Sequence, residues 1–348
     1  MKGRWSGAFQ IAAVYVGTVV GAGFATGKEI VEFFSKYGLF GTLCVLVAGF
    51  IFIYFGTKMM LLALRTKSAS YQELNEHLFG RRLSSFINLL FFIMLMGVTS
   101  VMFSGAGAVF DEQLGIGKTT GIFLTMILSF IVLSFGVKGL FAVNSFVVPV
   151  MIFFSVLLCV VSVSQGDYRS HFFAIPESIP IWKMMLSPLS YAAFNLALAQ
   201  AVLVPVANDI KDEKIVKAGG ILGGLLLTII LLSSHLSLIT LPNVAGYEIP
   251  TAEVMKFLAP QFYWIYIFII YGEIFTSIIG NSFGLERQLK PILKIRGSVI
   301  IVGIFGVSFL ISKIQYGILL SFLYPLFGYI SIVFLFLLFR DHSTAKIT

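Results

Sequence analysis

Eight stretches of at least 19 residues contain no Asp, Glu, Lys or Arg, and they leave the chain few ways to fold: Trp5–Gly27, Tyr37–Thr57, Leu83–Phe110, Thr119–Val137, Gly139–Gly166, Met184–Asn208, Ala218–Tyr247 and Ile314–Phe339. A helix needs about 20 apolar residues to cross a bilayer core of roughly 30 Å, so each stretch is long enough to span. Phe257–Leu285 is interrupted only by Glu273, and Gly297–Ser312 reaches Lys313 if that lysine snorkels. The sequence therefore predicts an all-α integral membrane protein with ten transmembrane helices. Composition agrees. Of 348 residues, 58% are hydrophobic and 11% charged, against about a quarter charged in soluble domains, which is too little polar surface for a water-soluble body.

Charge placement predicts orientation. With the amino terminus in the cytosol, 17 of the Lys and Arg residues fall on the inner side and 6 on the outer, with Lys28 left unassigned. That is the bias of the positive-inside rule, and it puts both termini in the cytoplasm. Lys2 and Arg4 resemble the start of a signal peptide, but the apolar run behind them is too long and glycine-rich for a cleaved leader, so a retained first helix is expected. The net charge of +8 does not point to nucleic acid, because no solvated module gathers the bases. No His/Cys/carboxylate spacing suits a metal and no Walker motif is present, so an enzyme is not expected. Cys44 and Cys159 lie in apolar runs and imply no disulfide framework.

The loops are short. In Arg65–Arg82, Ser70 stands three residues before Glu73 in the pattern of a capping box, which predicts a short interfacial helix. Asp167–Lys183 and Leu241–Ala259 are the larger outer loops, and Thr251 is suited to start a helix over the outer mouth; a folded lid and a plain connector are both open.

The first span is unusual. Gly17, Gly21, Gly23 and Gly27 fall within eleven residues, and Lys28, Glu29 and Glu32 follow at once. Unwound backbone survives in a membrane only where it lines a cavity or is buried in protein, whereas small-xxx-small spacing also serves close helix packing. The charges favour the broken-helix reading. A helix restarting near Thr26 would aim backbone N–H groups and the positive end of its dipole at the membrane's middle, which suits a carboxylate. Lys28 would add positive charge toward the outer mouth, or simply pair with Glu32 at i,i+4.

Gly-Thr-Val-Val-Gly-Ala-Gly-Phe at 17–24 resembles the glycine core of the first helix in transporters with the leucine-transporter fold. The whole chain resembles the YkvI-type bacterial membrane proteins of the amino acid–polyamine–organocation superfamily. That resemblance implies a 5+5 inverted repeat, 1–166 and 167–348, with broken helices 1 and 6, in a bacterial cell membrane. It further implies a secondary active transporter of a small organic solute, with an amino acid the favoured substrate, bound at Gly21, Ala22, Gly23, Phe24, Ala25 and Thr26. Span six, with Asn195 and Gln200 at its centre, is the matched partner. Asn195 is assigned to the binding cavity and Gln200 to a hydrogen bond with a neighbouring helix, while Pro205 is expected to kink the inner half.

In sodium-coupled members of this fold, a Thr-Ser pair on span eight and carbonyls of the span-one break hold one sodium ion. By position these are Thr276 and Ser277, with carbonyls from Gly17, Val20 and Glu273; back-bonding of the hydroxyls within their own helix is the plainer alternative. Phe24 replaces the Asn that ligates a second sodium ion, so one ion is expected, and Phe24 is free to pack on the substrate. Glu273 at mid-span is costly and marks a pathway: with Lys28 it is assigned to gating or coupling. It would carry a proton in a proton-coupled version, pair with Lys28, or bond to His235. His235 itself is read as a packing group, and Gly219, Gly220, Gly223 and Gly224 as sites of close helix approach. A non-transporting sensor or assembly protein with the same fold is the alternative class. Expected partners are the lipid bilayer and a small-molecule substrate; no cofactor beyond sodium is expected.

Overall fold

A backbone without water must satisfy its own N–H and C=O groups, and in an open chain only helices do so within one segment. The computed structural model of the chain, which describes residues 2–165, 180–241, 244, 250–258, 260–313 and 316–341, is helical accordingly, with no strand among the described residues. Among the described residues, six helices are long and apolar enough to cross a membrane: Leu39–Thr66, Tyr71–Asp111, Val137–Ser164, Ile181–Ile210, Glu213–Leu238 and Pro260–Leu293. Three shorter apolar helices join them, Lys118–Ser134, Gly297–Ile311 and Phe327–Arg340, the last being part of a helix over Tyr316–Arg340. With the interrupted first span these make ten passes, as the charge-free stretches predict, and we number them one to ten in chain order.

Ion pairs support the alternation of direction. Arg65 with Glu213 (3.2 Å), Arg287 with Asp209 (2.9 Å) and His77 with Asp341 (2.8 Å) each join segments that a ten-pass chain brings to one face. Around the bundle an apolar belt is exposed, including Phe86, Phe146, Phe268 and Phe336. Trp182 and Trp264 stand near the starts of spans six and eight, where amphipathic rings anchor helices at the bilayer surface.

Span one sits inside a ring of spans five, six, seven and eight. Its tightest neighbour is span seven, where the four glycines let backbones close in. A Cβ on Gly219 would stand 2.6 Å from Ile11, one on Gly223 2.6 Å from Tyr15, and one on Gly224 2.6 Å from the Ile53 backbone. Span two carries a π-helical turn at Phe52–Gly56, and Tyr15 donates its hydroxyl proton to the Phe52 carbonyl at 2.9 Å. Such turns widen a helix enough to free a carbonyl for an outside donor.

Ser70 caps the helix as expected, its Oγ accepting from the Glu73 N–H, while Glu73 Oε2 reaches one residue beyond the cap and accepts from the Ala69 N–H at 2.7 Å, a variant of the expected box. The interfacial helix it starts is not separate. It meets span three at a kink at Gly80 (φ 74°, ψ 159°). The outer helix is folded, over Pro250–Leu258, and the loop 166–179 lies outside the described residues. Span six departs from expectation: Ile181–Ile210 is one helix with Pro188 and Pro205 inside it, not an unwound pair of halves. Each proline removes one ladder bond, and span six is almost wholly enclosed by protein, which holds the helix through both positions. Both cysteines are free thiols.

Candidate functional site

The glycine cluster of span one does break the helix, and twice. Helix α1 (Lys2–Val19) stops before Val20 and Gly21, a single turn α2 (Ala22–Ala25) follows, and after Thr26 and Gly27 the chain restarts as α3 (Lys28–Phe33). Gly27 has φ 80°, a left-handed conformation that costs residues with a Cβ about 1–2 kcal/mol.

The carbonyls released at these breaks are met from outside the helix. Val20 O accepts from Ser277 Oγ of span eight at 2.7 Å. Ala25 O accepts two hydroxyl protons, from Thr251 of the outer helix and Tyr266 of span eight, each at 2.8 Å. Thr26 O accepts the Thr251 N–H at 3.2 Å, so the helix over Pro250–Leu258 is docked on the break. Thr26 Oγ1 donates to Gly23 O at 3.2 Å and lies 3.5 Å from the Lys28 N–H.

The expected ion ligands are brought together in part. Ser277 binds Val20, while Thr276 Oγ1 donates to Glu273 O of its own helix at 2.9 Å, so one hydroxyl bridges the two spans and the other back-bonds. Hydroxyl and carbonyl oxygens are hard donors, the ligand chemistry that an alkali cation takes. At Gly17 the neighbour is Asn144 of span five: its Oδ1 would stand 1.8 Å from a Cβ there, and that oxygen is buried without a hydrogen-bond partner. Asn144 adds a further acceptor that sequence reading missed, since an amide in an apolar run carries no local signal of what it will face.

Of the solute-site residues, Gly21 borders Met102 of span three and Ser277, at 3.1 and 3.4 Å from a Cβ placed on it. Gly23 is held bare by Glu29: a Cβ would fall 2.2 Å from Glu29 Oε1. Glu29 is buried, and its carboxylate lies within electrostatic reach of the Tyr191 hydroxyl of span six. This acid was read only as part of a polar half-helix; its signal was its place six residues after a glycine in a broken span. Phe24 and Ala25 line a cavity with spans five, seven and eight.

Several polar residues sit elsewhere than expected. Asn195 Nδ2 donates to the Tyr191 carbonyl of its own helix at 3.0 Å. Gln200, assigned to an interhelical hydrogen bond, is fully buried with neither end of its amide bonded. Glu32 pairs with Lys36. A bond to His235, one of three roles open to Glu273, is not made: His235 Nδ1 meets Ser35 Oγ at 3.1 Å and Nε2 meets Thr42 Oγ1 at 3.0 Å, which ties span seven to spans one and two as a packing group would. Glu273 is buried, and its Oε2 has no hydrogen-bond partner.

Comparison with solved structures gives the fold a name. Over 94% of this chain and 88% of the other, the chain superposes on the crystal structure of MhsT in complex with L-phenylalanine, with a TM-score of 0.72 at 14% identity. Mhp1, a nucleobase-cation-symport-1 family transporter in a closed conformation with bromovinylhydantoin bound, matches with a TM-score of 0.60 at 12% identity, over 91% of this chain and 74% of that one. The fold is the leucine-transporter fold expected from the glycine core. No family model matches the chain. Among curated proteins, YyaD of Bacillus subtilis is 22% identical over 95% of this chain and 96% of its own length. The membrane protein YkvI of the same organism is 49% identical over 329 residues, 94% of either chain. At that identity and coverage, the chain belongs to the YkvI family of multi-pass membrane proteins.

Proposed function

We propose that the chain is a secondary active transporter of a small organic solute, an amino acid in the first instance, working by alternating access between its two five-helix halves. The observation that carries this reading is the double break in span one, whose freed carbonyls are held by span eight and the helix over Pro250–Leu258. The first N–H groups of a restarted helix have no partner within it, and its dipole adds positive potential, so the turn from Gly21 to Thr26 suits a solute carboxylate. MhsT, which shares this fold, holds L-phenylalanine, so an aromatic amino acid is the first solute to test. Asn195 would face that solute from span six after giving up its bond to Tyr191.

Sodium is the coupling ion in this reading. Gly17, Val20 and Glu273 would hold it through their carbonyls, Thr276 and Ser277 through their hydroxyls, and its charge would fasten span one to span eight while the solute is bound. Lys28 and Glu273 would act in gating. The test is uptake of labelled L-phenylalanine and other amino acids into proteoliposomes. Uptake driven by an inward sodium gradient and weakened by Thr276→Ala is expected. Uptake indifferent to sodium and to that substitution would remove the ion assignment, and ligand binding without flux would remove the transporter reading.

A further inference from the structure

A second cation site can be read from the flank of span one that faces spans five, seven and eight. A cavity of about 30 Å³ lies there, its wall including Phe24, Ser155, Ser234, Thr251, Tyr266 and Glu273. That leaves room for at least one water-sized guest. Its polar surface is built almost wholly of acceptors. Thr251 and Tyr266 have given their protons to the Ala25 carbonyl, Ser237 has given its own to Ser233 O at 2.9 Å, and Ser155 and Ser234 share one hydrogen bond at 3.2 Å. Into this ring of oxygens comes the Glu273 carboxyl, buried, with Oε2 lacking any hydrogen-bond partner. Among the described residues, no Lys, Arg or His lines the cavity.

An unpaired carboxylate in such surroundings is among the costliest arrangements a membrane interior offers; it is relieved by taking a proton or by pairing with a cation, and the surrounding oxygens equip this cavity for the second. One acid balances one positive charge. Among the described residues no group of three His, Cys, Asp or Glu side chains gathers, so the site lacks the ligand charge that divalent and transition metals draw on. We infer that the cavity binds a single monovalent cation of about the size of water, with the Glu273 carboxylate supplying the charge and the Ser155 and Ser234 hydroxyls completing its shell. The guest is an alkali-metal ion or the ammonium head of an amine. The site shares Glu273 with the proposed sodium cluster but uses its carboxylate where that cluster uses its backbone carbonyl, and it does not depend on the chain being a transporter.

The experiment reads binding. Thermal unfolding of the purified full-length protein is followed in choline chloride and, at equal ionic strength, in lithium, sodium, potassium or methylammonium chloride. A ligand that binds the native state alone raises the unfolding temperature. At least one of the four should do so in the wild type. The shift should persist in Ser277→Ala and vanish in Glu273→Gln combined with Ser277→Ala, which together remove the carboxylate of this site and one hydroxyl of the other. An effect confined to methylammonium assigns the cavity to an amine head, and one from the alkali series to a metal ion. Ser155→Ala keeps the charge and should raise the half-saturating concentration several-fold, which provides the reading if the Glu273 variant does not fold. No shift in the wild type with any of the four salts, or a shift in the double variant equal to that in Ser277→Ala alone, would overturn the inference.

Discussion

Ser277→Ala isolates the bond that crosses from span eight to the break. In the native structure Ser277 Oγ donates to Val20 O at 2.7 Å, and both residues are buried. Removing the hydroxyl deletes a hydrogen bond with a net worth of roughly 0.5–1.5 kcal/mol and strands an acceptor whose unmet desolvation costs about 1–3 kcal/mol. Interhelical hydrogen bonds within membranes average about 0.6 kcal/mol in measured cycles, because the unfolded chain also finds partners there. Together these place the loss at about 1–2 kcal/mol, or roughly 5–30-fold in the ratio of folded to unfolded protein. Ser308→Ala is the matched control: its hydroxyl is equally buried but has no hydrogen-bond partner, so its removal should change stability by no more than about 0.5 kcal/mol. The assay is denaturant-induced unfolding of both variants in mixed micelles, followed through the transition midpoint at constant slope. If Ser277→Ala proves no less stable than Ser308→Ala, the Val20 carbonyl has another partner and the span-eight strut is not what secures the break.

Two further outcomes follow from groups around the break. Gln200→Leu replaces a fully buried amide, bonded at neither end, with an apolar side chain of similar size, so the melting temperature should hold or rise; a fall of several degrees would mean that the amide has a partner in the native protein. Gly23→Ala puts a methyl group 2.2 Å from Glu29 Oε1 and must displace that carboxylate, costing about 1–3 kcal/mol; most of the loss should return in Gly23→Ala with Glu29→Ala, and purely additive losses would show that Glu29 is not the obstacle.

Much of the architecture was legible because the membrane makes its demands one segment at a time. Length without charge marks a span, and clustered glycine followed by charge marks the break at 20–21 and 26–27. Ser70 and Glu73 give the interfacial helix its start because their cap closes between near neighbours in sequence. What stayed hidden depends on partners distant in sequence. Nothing near Asn144 announces Gly17, and nothing near Tyr266 announces the Ala25 carbonyl. His235 looked available to Glu273 until Ser35 and Thr42 were seen to occupy both ring nitrogens. Span six shows the limit of reading breaks from composition. Its two prolines and small residues resemble a discontinuity, yet tight enclosure by neighbouring helices keeps it whole.

The Ala25 carbonyl, gripped by hydroxyls from Thr251 and Tyr266, ties the broken span, span eight and the helix over Pro250–Leu258 at one point. Three parts of the chain that are remote in sequence meet at one oxygen atom, so none can swing aside alone without stranding a donor. Separating any one of them from the other two is therefore a concerted step rather than a fraying.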